Sequence, residues 1–235
     1  MAKLMFRRLE KKYLLTDWQR EQFEQRIKPY VVEDEYGRYT LANLYFDNDC
    51  FESIRRSMEK PVFKEKMRLR AYGTPGPDDP VFWELKKKYK KVGYKRRMST
   101  TCREMEAYLN QGTPLSQGGQ TFKELDYELH RQNLCPRIYL AYDRVAYYDK
   151  NDRNVRITFD ENIRYRWDHL DLTYGDEGCT FYPMEGKHLL ELKVNEGMPL
   201  WLAHLLTELK IFPVPFSKYG KIFEKENVLQ CSKVF

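Results

Sequence analysis

Residues 63–71, FKEKMRLRA, place a cation at every even position of one short stretch of chain. The odd positions are mostly apolar, with Glu65 as the exception. Because side chains alternate across a strand, this pattern predicts a β-strand with one cationic face and one apolar face. Arg offers a planar fork that matches phosphate oxygens, and Lys adds a mobile point charge, so such a face suits phosphate binding. The four cations are Lys64, Lys66, Arg68 and Arg70.

The same alternation recurs in residues 83–88, 155–160 and 189–194. Apolar side chains occupy one parity of each segment and charged side chains the other, which is typical of half-buried strands. Later strands therefore add Arg144 and Arg156 as candidate phosphate contacts. On the charged parity of these segments lie Glu84, Lys86, Lys88, Arg156, Asp160, Glu191 and Lys193, and near the start Arg8, Glu10 and Lys12 share one parity.

Carboxylates among these cations suggest a metal site. Mg²⁺ and Mn²⁺ prefer oxygen ligands and bridge phosphate groups, so Glu191 is the first candidate ligand and Glu10 the second. A salt bridge to a neighbouring Lys or Arg explains either carboxylate equally well. The chain contains neither the Gly-x-x-x-x-Gly-Lys-Ser/Thr motif nor the Gly-x-Gly-x-x-Gly motif, so any nucleotide site must be built from strand side chains.

Ser217 and Lys218 open the last predicted helix. A helix N-terminus with a hydroxyl, backbone N–H groups and a Lys is suited to phosphate binding. The alternative is an N-cap Ser beside a solvated Lys.

The elements that must carry these residues alternate between strands and helices. We predict strands ending at Leu15 and over 40–47, 62–72, 81–90, 92–100, 136–149, 153–160, 163–167 and 188–195. Helices are expected over about 16–29, 49–58, 102–110, 121–132, 199–209 and 217–228, with 168–185 as a loop. Thr16 and Gln19 have the spacing of a capping box.

These elements predict an α+β fold. A sheet closed into an antiparallel β-barrel with helices packed outside would cover the apolar strand faces and turn the charged faces inward. Cations at that density would repel one another without an anion. Two alternatives remain open from the pattern alone: an open sheet with solvated charges, or a barrel that holds a polyanion.

The charge of the chain is concentrated in one block. The 235 residues carry a formal net charge of +6. Residues 51–100 hold 15 Lys and Arg against 6 Asp and Glu, a balance of +9, and the rest of the chain is slightly acidic. Because these cations follow strand parity, they are expected to share one face of the predicted sheet, and the question is what that face binds.

No hydrophobic run is long enough for a transmembrane helix, and the N-terminus lacks a secretion signal. The five cysteines, Cys50, Cys102, Cys135, Cys179 and Cys231, are widely spaced, which favours reduced core residues. We therefore expect a cytoplasmic protein with a single domain over residues 1–235.

At these residues the chain resembles the polyphosphate polymerase domain of vacuolar transporter chaperone (VTC) proteins, within the triphosphate tunnel metalloenzyme superfamily that also includes the CYTH proteins. The matching stretches occur in the family's order and span nearly the whole chain. They are Glu10-Lys11-Lys12-Tyr13, Leu44-Tyr45-Phe46-Asp47, Arg68-Leu69-Arg70-Ala71-Tyr72-Gly73, Phe82-Trp83-Glu84-Leu85-Lys86, Tyr94-Lys95-Arg96-Arg97, Tyr142-Asp143-Arg144-Val145-Ala146-Tyr147, Val155-Arg156-Ile157-Thr158-Phe159-Asp160, Leu190-Glu191-Leu192-Lys193 and Ser217-Lys218-Tyr219.

The resemblance implies an antiparallel barrel tunnel with a basic interior and a Mn²⁺ or Mg²⁺ ion held by Glu191. Glu10 stays the second candidate ligand, on the strength of the residue pattern. The resemblance also implies ATP and inorganic polyphosphate as substrates, with no nucleic acid. The catalytic cations would be Arg68, Arg70, Lys86, Arg144, Arg156 and Lys193. The resemblance adds Lys12, Tyr142, Ser217 and Lys218 as substrate contacts, while Lys66 and Lys88 come from the strand pattern itself. The cluster at 95–97 matches another basic segment of the family; strand parity leaves open which of its members face inward, and Lys95 and Arg97 are the candidates.

Two departures from the family pattern bear on the activity. Many tunnel enzymes begin with Glu-x-Glu-x-Lys, whereas Arg8 replaces the first Glu here, which favours the VTC-like branch over the hydrolytic ones. The SPX-type helical region and the membrane segments of the eukaryotic complex have no counterpart in the sequence, so we expect a stand-alone domain.

The leading hypothesis is transfer of the ATP γ-phosphate to a growing polyphosphate chain. Two alternatives remain: a metal-dependent triphosphatase acting on tripolyphosphate or an organic triphosphate, and a non-catalytic module that binds inositol phosphates or RNA.

Overall fold

The computed structural model describes residues 9–59, 61–90, 92–182, 187–195 and 197–231, with side chains as far as residue 226. Arg8, the departure from the family motif, lies outside the described residues. The strands are β1 (Leu9–Leu15), β2 (Val31–Asp47), β3 (Phe63–Tyr72), β4 (Pro80–Tyr89), β5 (Val92–Thr101), β6 (Cys135–Asp149), β7 (Arg156–Arg166), β8 (Cys179–Thr180) and β9 (His188–Val194). The helices are α1 (Asp17–Ile27), α2 (Glu52–Met58), α3 (Cys102–Gln111), α4 (Gln120–Arg131), α5 (Leu200–Glu208) and α6 (Lys218–Cys231).

The strands form one sheet with the hydrogen-bonded order β1-β9-β7-β6-β2-β3-β4-β5, and β8 pairs with β7. The pairs β1–β9, β2–β3, β3–β4, β4–β5, β7–β8 and β7–β9 are antiparallel. The predicted α+β fold, an antiparallel sheet accompanied by helices, is confirmed.

The chain divides into two compact units. The terminal unit comprises Met1–Tyr39, Tyr142–Ile163 and Phe181–Phe235. The central unit comprises Thr40–Ala141 and Arg164–Thr180. Three of the four boundaries between the units fall inside strands β2, β6 and β7, and the fourth directly follows β8. A single functional domain over 1–235 stays a prediction.

In the central unit, the apolar parity of β3 and β4 packs beneath helices α3 and α4. Met67, Leu69, Trp83 and Leu85 are buried in one core cluster with Met105 of α3 and with Leu125 and Leu129 of α4. Burying a side chain of this size contributes about 1.5–3 kcal/mol. Burial therefore holds the register, because a shift of one residue would turn the cationic parity into the core.

In the terminal unit, helices α1 and α5 pack on the apolar face of β1, β7 and β9. Tyr13, Phe159 and Leu190 share a buried cluster with Phe23 of α1 and Leu205 of α5. The predicted capping box begins α1: the Thr16 hydroxyl accepts a hydrogen bond from the Gln19 backbone N–H at 3.2 Å. The Gln19 side chain accepts one from the Thr16 N–H at 3.0 Å.

The sequence-based boundaries are wrong in three places. Strand β2 begins at Val31 rather than at residue 40, although its first half contains Glu33, Asp34 and Glu35, which have low strand propensity. Segments 153–160 and 163–167 contribute to one strand, β7, in which Asn162 adopts a φ of 47° without ending the strand. The segment 168–185, expected to be a loop, contains the short strand β8.

The cysteine prediction holds only in part. Cys102 is buried, whereas Cys50 and Cys179 are exposed, and Cys231 has no described side chain. In the described ranges, no helix combines the length and apolar character needed to cross a membrane.

Candidate phosphate-binding faces

The cationic parities of β3, β4 and β5 share one face of the central unit. The antiparallel register pairs Lys64 with Lys88 and Lys66 with Lys86 across β3 and β4. Lys86 in turn pairs with Lys95 of β5. We call this set, together with Arg68, Arg70, Glu84 and Arg97, the central cationic face.

Glu84 is the carboxylate at the middle of this face, and only 1% of the residue is exposed. Arg68 donates from Nε to its Oε2 at 2.8 Å. Lys95 Nζ lies 2.6 Å from Oε1, and Arg97 Nε lies 3.4 Å from the same oxygen. Burial by itself would raise the pKa of Glu84, but Arg68, Arg70 and Lys95 outweigh it and lower the pKa to about 2. Glu84 is therefore an anion at neutral pH that orients three cations.

The two arginines of β3 also form hydrogen bonds with side chains of β2. Arg70 is buried and donates from Nε to Oδ1 of Asn43 at 3.0 Å. The Asn43 amide donates to the backbone carbonyl of Leu140 at 3.1 Å, which fixes its orientation. Arg68 donates to the Tyr45 hydroxyl at 3.1 Å. Both guanidinium groups are thus positioned before any ligand binds, which lowers the entropic cost of binding an anion.

At the lysine end of this face, positive charges lie close to one another. Burial lowers the pKa of Lys64, and the charges of Lys88 and Lys86 lower it further. Burial is also the main cause that lowers the pKa of Lys95 to about 8, where Glu84 acts in the opposite direction. A lysine whose pKa is lowered by neighbouring positive charges favours a bound polyanion.

Cations of the other parity have a different role. Arg96 donates from Nε to Glu124 of α4 at 2.5 Å, and Lys87 forms an ion pair with Glu128 of the same helix. Glu65, the exception in the β3 pattern, accepts a hydrogen bond from Arg131 at 2.9 Å. These charges attach α4 to the sheet, whereas Lys95 and Arg97 lie on the Glu84 side.

The terminal unit contains a second cluster of charges around Asp160, whose side chain is fully buried. Arg144 donates to it from Nε at 2.6 Å and from the terminal amino group at 2.8 Å. Lys218 forms an ion pair with the same carboxylate, and its Nζ lies 4.0 Å from the centre of the Tyr142 ring. Burial would raise the pKa of Asp160, but Arg144 and Lys218 lower it to about 2.

Glu191 of β9 lies opposite Lys12 of β1 and Thr158 of β7. Its carboxylate is 2.6 Å from Lys193 Nζ and 3.8 Å from Lys12 Nζ, which is also 3.8 Å from Glu10. Burial would raise the pKa of Glu191, but Lys193 and Lys12 keep it well below its ordinary value. Burial lowers the pKa of Lys193. We call Arg144, Asp160, Lys218, Glu191, Lys193, Lys12 and Glu10 the terminal charged cluster.

Two further predicted contacts of the terminal unit have partners within the protein. Arg156 donates to Asp34 at 3.1 Å and to the Tyr39 hydroxyl at 3.2 Å. Ser217 is the N-cap of α6, and its hydroxyl accepts from the Gly220 backbone N–H at 3.2 Å. Asp34 is buried within β2, the part of that strand that the sequence analysis missed.

The carboxylates of β1 and β9 fit a divalent cation that arrives with phosphates. Glu10 pairs in register with Lys193 and Glu191 with Lys12, so the two carboxylates are diagonal neighbours across the strands. Mg²⁺ is usually bound by one or two carboxylates plus substrate phosphates, which matches this pair. Within the described ranges, no three His, Cys, Asp or Glu side chains converge into a metal-binding group.

Three buried anions that orient predicted phosphate contacts were not singled out from the sequence: Glu84, Asp160 and, beside Arg156, Asp34. Glu84 and Asp160 share strand parity with the predicted cations, and that parity was the available signal. Asp34 lies in the half of β2 that was not predicted, so no comparable signal existed.

Solved structures include one with the same fold. The crystal structure of a Bacillus halodurans protein described as a candidate adenylate cyclase superposes with a TM-score of 0.58. The superposition covers 95% of this chain and 99% of the other at 14% sequence identity, so the likeness concerns the fold alone.

Two curated proteins are similar in sequence. Both are vacuolar transporter chaperone complex subunit 4, one from Trypanosoma cruzi (24% identical) and one from Trypanosoma brucei brucei (22% identical). Each alignment extends over 217 residues and covers 77% of this chain. This chain matches 27% of the length of either relative.

The family model of the VTC domain matches residues 7–225. That range includes every residue of the central cationic face and of the terminal charged cluster. The resemblance on which the sequence analysis relied is thereby confirmed, and the chain belongs to the VTC domain family.

Proposed function

We propose that this protein is a polyphosphate polymerase, an enzyme that transfers the γ-phosphate of ATP to a growing chain of inorganic polyphosphate. The observation that carries the proposal is the central cationic face. Eight cations on three adjacent strands share a face with one buried carboxylate, an arrangement that matches a linear polyanion rather than a single phosphate. Membership of the VTC domain family supports the same conclusion.

In the proposed reaction, a terminal oxygen of polyphosphate forms a bond to the γ-phosphorus of ATP. The bond from that phosphorus to the bridging oxygen of the β-phosphate breaks, and ADP leaves with the electron pair. The acceptor oxygen is already an anion, so no strong general base is required. Catalysis then depends on alignment and on charge neutralisation.

The residues of the central cationic face supply both effects. Glu84 and Asn43 hold Arg68 and Arg70 in fixed orientations, and pre-oriented donors stabilise developing charge without reorganisation. Lys66 and Lys86, which face each other across β3 and β4, would bind neighbouring phosphates. Lys88, Lys95 and Arg97 would extend the same row.

The terminal charged cluster would bind phosphates with Arg144, Lys218, Lys193 and Lys12. Glu191 and Glu10 would hold Mn²⁺ or Mg²⁺, which when bound neutralises charge on phosphate oxygens. Arg156, with Tyr142 and Ser217 beside the cluster, completes the set of predicted contacts. Asp160 orients Arg144 and Lys218 in the way that Glu84 orients its partners.

The experiment incubates the purified protein with ATP and Mn²⁺ and separates the products on a sizing gel. We expect a ladder of polyphosphate and stoichiometric ADP. Arg68→Ala should reduce synthesis at least a hundredfold, because it removes a charge next to the transferred group. Lys87→Ala is the matched control, since Lys87 lies on the other face of β4 and contacts Glu128.

Release of orthophosphate from tripolyphosphate, with no polymer formed from ATP, would contradict the proposal and identify a triphosphatase. Salt-sensitive binding of polyanions without turnover of either substrate would identify a non-catalytic module. Full activity in both Arg68→Ala and Glu191→Ala would show that neither set of charges acts in the reaction.

A further inference from the structure

Two aromatic side chains lie at one end of the central cationic face. Tyr72 follows Arg70 at the next position of the same parity on β3, and Phe82 faces Arg70 across β3 and β4. The rings of Tyr72 and Phe82 meet edge to face, with centroids 5.8 Å apart. Tyr72 is 52% exposed, so this pair is not part of the hydrophobic core.

An arginine of the same face covers one of these rings. The Arg97 guanidinium carbon lies 3.6 Å from the centre of the Phe82 ring, and Arg97 Nε lies 3.4 Å from Glu84. The aromatic pair is therefore continuous with the charged network. Aromatic rings and guanidinium planes next to phosphate-binding cations are the surfaces on which proteins stack nucleobases.

The spacing along β3 matches a nucleotide. Alternate residues of a strand are about 6.6 Å apart, so Arg68, Arg70 and Tyr72 form a row with the aromatic ring one step beyond the last arginine. An inorganic phosphate chain has no apolar part that an aromatic surface could bind. A nucleoside triphosphate carries a base joined through a ribose to its first phosphate, which places the base one step beyond its phosphates.

We propose that Tyr72 and Phe82 form a stacking platform for the base of a nucleoside triphosphate whose phosphates lie along Arg70 and Arg68. The proposal rests on the proposed function and adds the orientation of the bound nucleotide along the central cationic face. The base lies at the Tyr72 end of the central cationic face, and the lysine end near Lys64 and Lys88 receives inorganic phosphate. Arg97 borders the platform and links it to Glu84.

The test compares two ligands that share phosphates and differ in the base. Binding of ATP and of inorganic tripolyphosphate is measured by calorimetry in the whole chain and its variants. Tyr72→Ala should weaken ATP binding about tenfold, the lower part of the range for loss of one base–aromatic stack. Tripolyphosphate binding should stay within twofold, because the change removes no charge.

Three variants separate the ring from other effects. Tyr72→Leu keeps apolar bulk without the ring and should lose ATP affinity as Tyr72→Ala does, whereas Tyr72→Phe should retain it. Tyr89→Ala is the matched control, because Tyr89 is 49% exposed on β4 but has the opposite parity from Phe82. Its affinity for both ligands should equal that of the unchanged protein.

Several results would overturn the platform. One is unchanged ATP affinity in both Tyr72→Ala and Phe82→Ala. Another is an equal loss of ATP and tripolyphosphate affinity, which would show that the rings only support Arg70 and Arg97. A third is tripolyphosphate binding without ATP binding in the unchanged protein. Base-dependent ATP binding without polymer synthesis would contradict the proposed function and leave the platform intact.

Discussion

At the scale of single residues, the important feature is a buried carboxylate that orients several cations. Asp160 and Glu84 each have this role in their own unit. Removing one partner of a buried pair leaves the other charge without compensation, and this costs far more than losing an exposed pair. The residues that organise phosphate binding are therefore also residues on which stability depends.

Asp160→Asn should destabilise the protein by about 3–5 kcal/mol, because Arg144 and Lys218 would remain as buried cations without their anion. Urea unfolding at pH 7 measures the change. Glu208→Gln is the matched control in the same unit: Glu208 pairs with Arg26, and both side chains are about half exposed. That pair should contribute less than about 1 kcal/mol. Equal losses in the two variants would contradict the organising role of Asp160.

Because of Glu84, the free energy of unfolding should decrease as the pH falls through the acidic range. Its pKa in the folded protein, about 2, lies below its ordinary value of 4.5. Folding is therefore favoured by ionised Glu84 above pH 4.5, and this contribution disappears as the pH falls towards 2. We expect Glu84→Gln to be less stable than the unchanged protein at pH 7, with the difference shrinking between pH 5 and pH 2. Urea unfolding across this range measures it, and a constant difference would contradict the assignment.

Because of Lys95, phosphate binding should weaken as the pH rises into the alkaline range. Because its pKa is lowered to about 8, Lys95 loses its charge between pH 7 and pH 9. Tripolyphosphate affinity should fall by several-fold over that interval. Lys95→Arg keeps the charge and should show a smaller decrease. Calorimetric titrations at both pH values make the comparison, and identical pH profiles would place Lys95 outside the binding face.

At the scale of elements, strand parity separates binding from packing. On β5, consecutive arginines point to opposite faces: Arg96 contacts Glu124 of α4, and Arg97 lies beside Glu84. Alternation within a strand could be predicted from the sequence because it follows from backbone geometry. Which parity of residues 95–97 faces the other cations depended on the β4–β5 register, which the pattern left open.

Arg97→Ala should lower tripolyphosphate affinity about fivefold or more, because it removes a charge-assisted contact. Arg96→Ala should leave that affinity within twofold and should cost less than about 1 kcal/mol of stability through loss of its pair with Glu124. Calorimetry and urea unfolding test both variants. The reverse order of affinities would contradict the assigned parity.

The elements that the sequence misplaced show why prediction fails locally. Residues 31–39 include three consecutive acidic residues, yet they form a strand in which Val31 and Asp34 are buried. Asn162, a residue typical of turns, lies within β7, where its amide donates to Asp143 at 2.7 Å. In both cases tertiary contacts outweigh local propensity.

At the scale of the whole molecule, the net charge of +6 understates the density of cations on the central cationic face. Such a surface should be stabilised by a polyanion that binds only the folded state. With tripolyphosphate at 100 times its Kd, the gain is about 2.7 kcal/mol, which raises Tm by about 5–10 °C in a protein of this size.

The shift in Tm should largely disappear in 0.5 M salt, because screening weakens contacts between exposed charges and the ligand. Differential scanning fluorimetry with tripolyphosphate, and with an equal concentration of orthophosphate as control, measures the effect. A salt-independent shift, or an equal shift with orthophosphate, would contradict binding by an extended cationic face.

The sequence by itself determined the cationic and apolar parities, most helices and the VTC family, because these depend on local alternation and on ordered motifs. The tertiary structure decided which residues meet. It brought Glu84 of β4 between Arg68 of β3 and Lys95 of β5, and it brought Asp160 to Arg144 and Lys218. Strand register and core burial select those contacts, and both depend on residues that are distant in the chain.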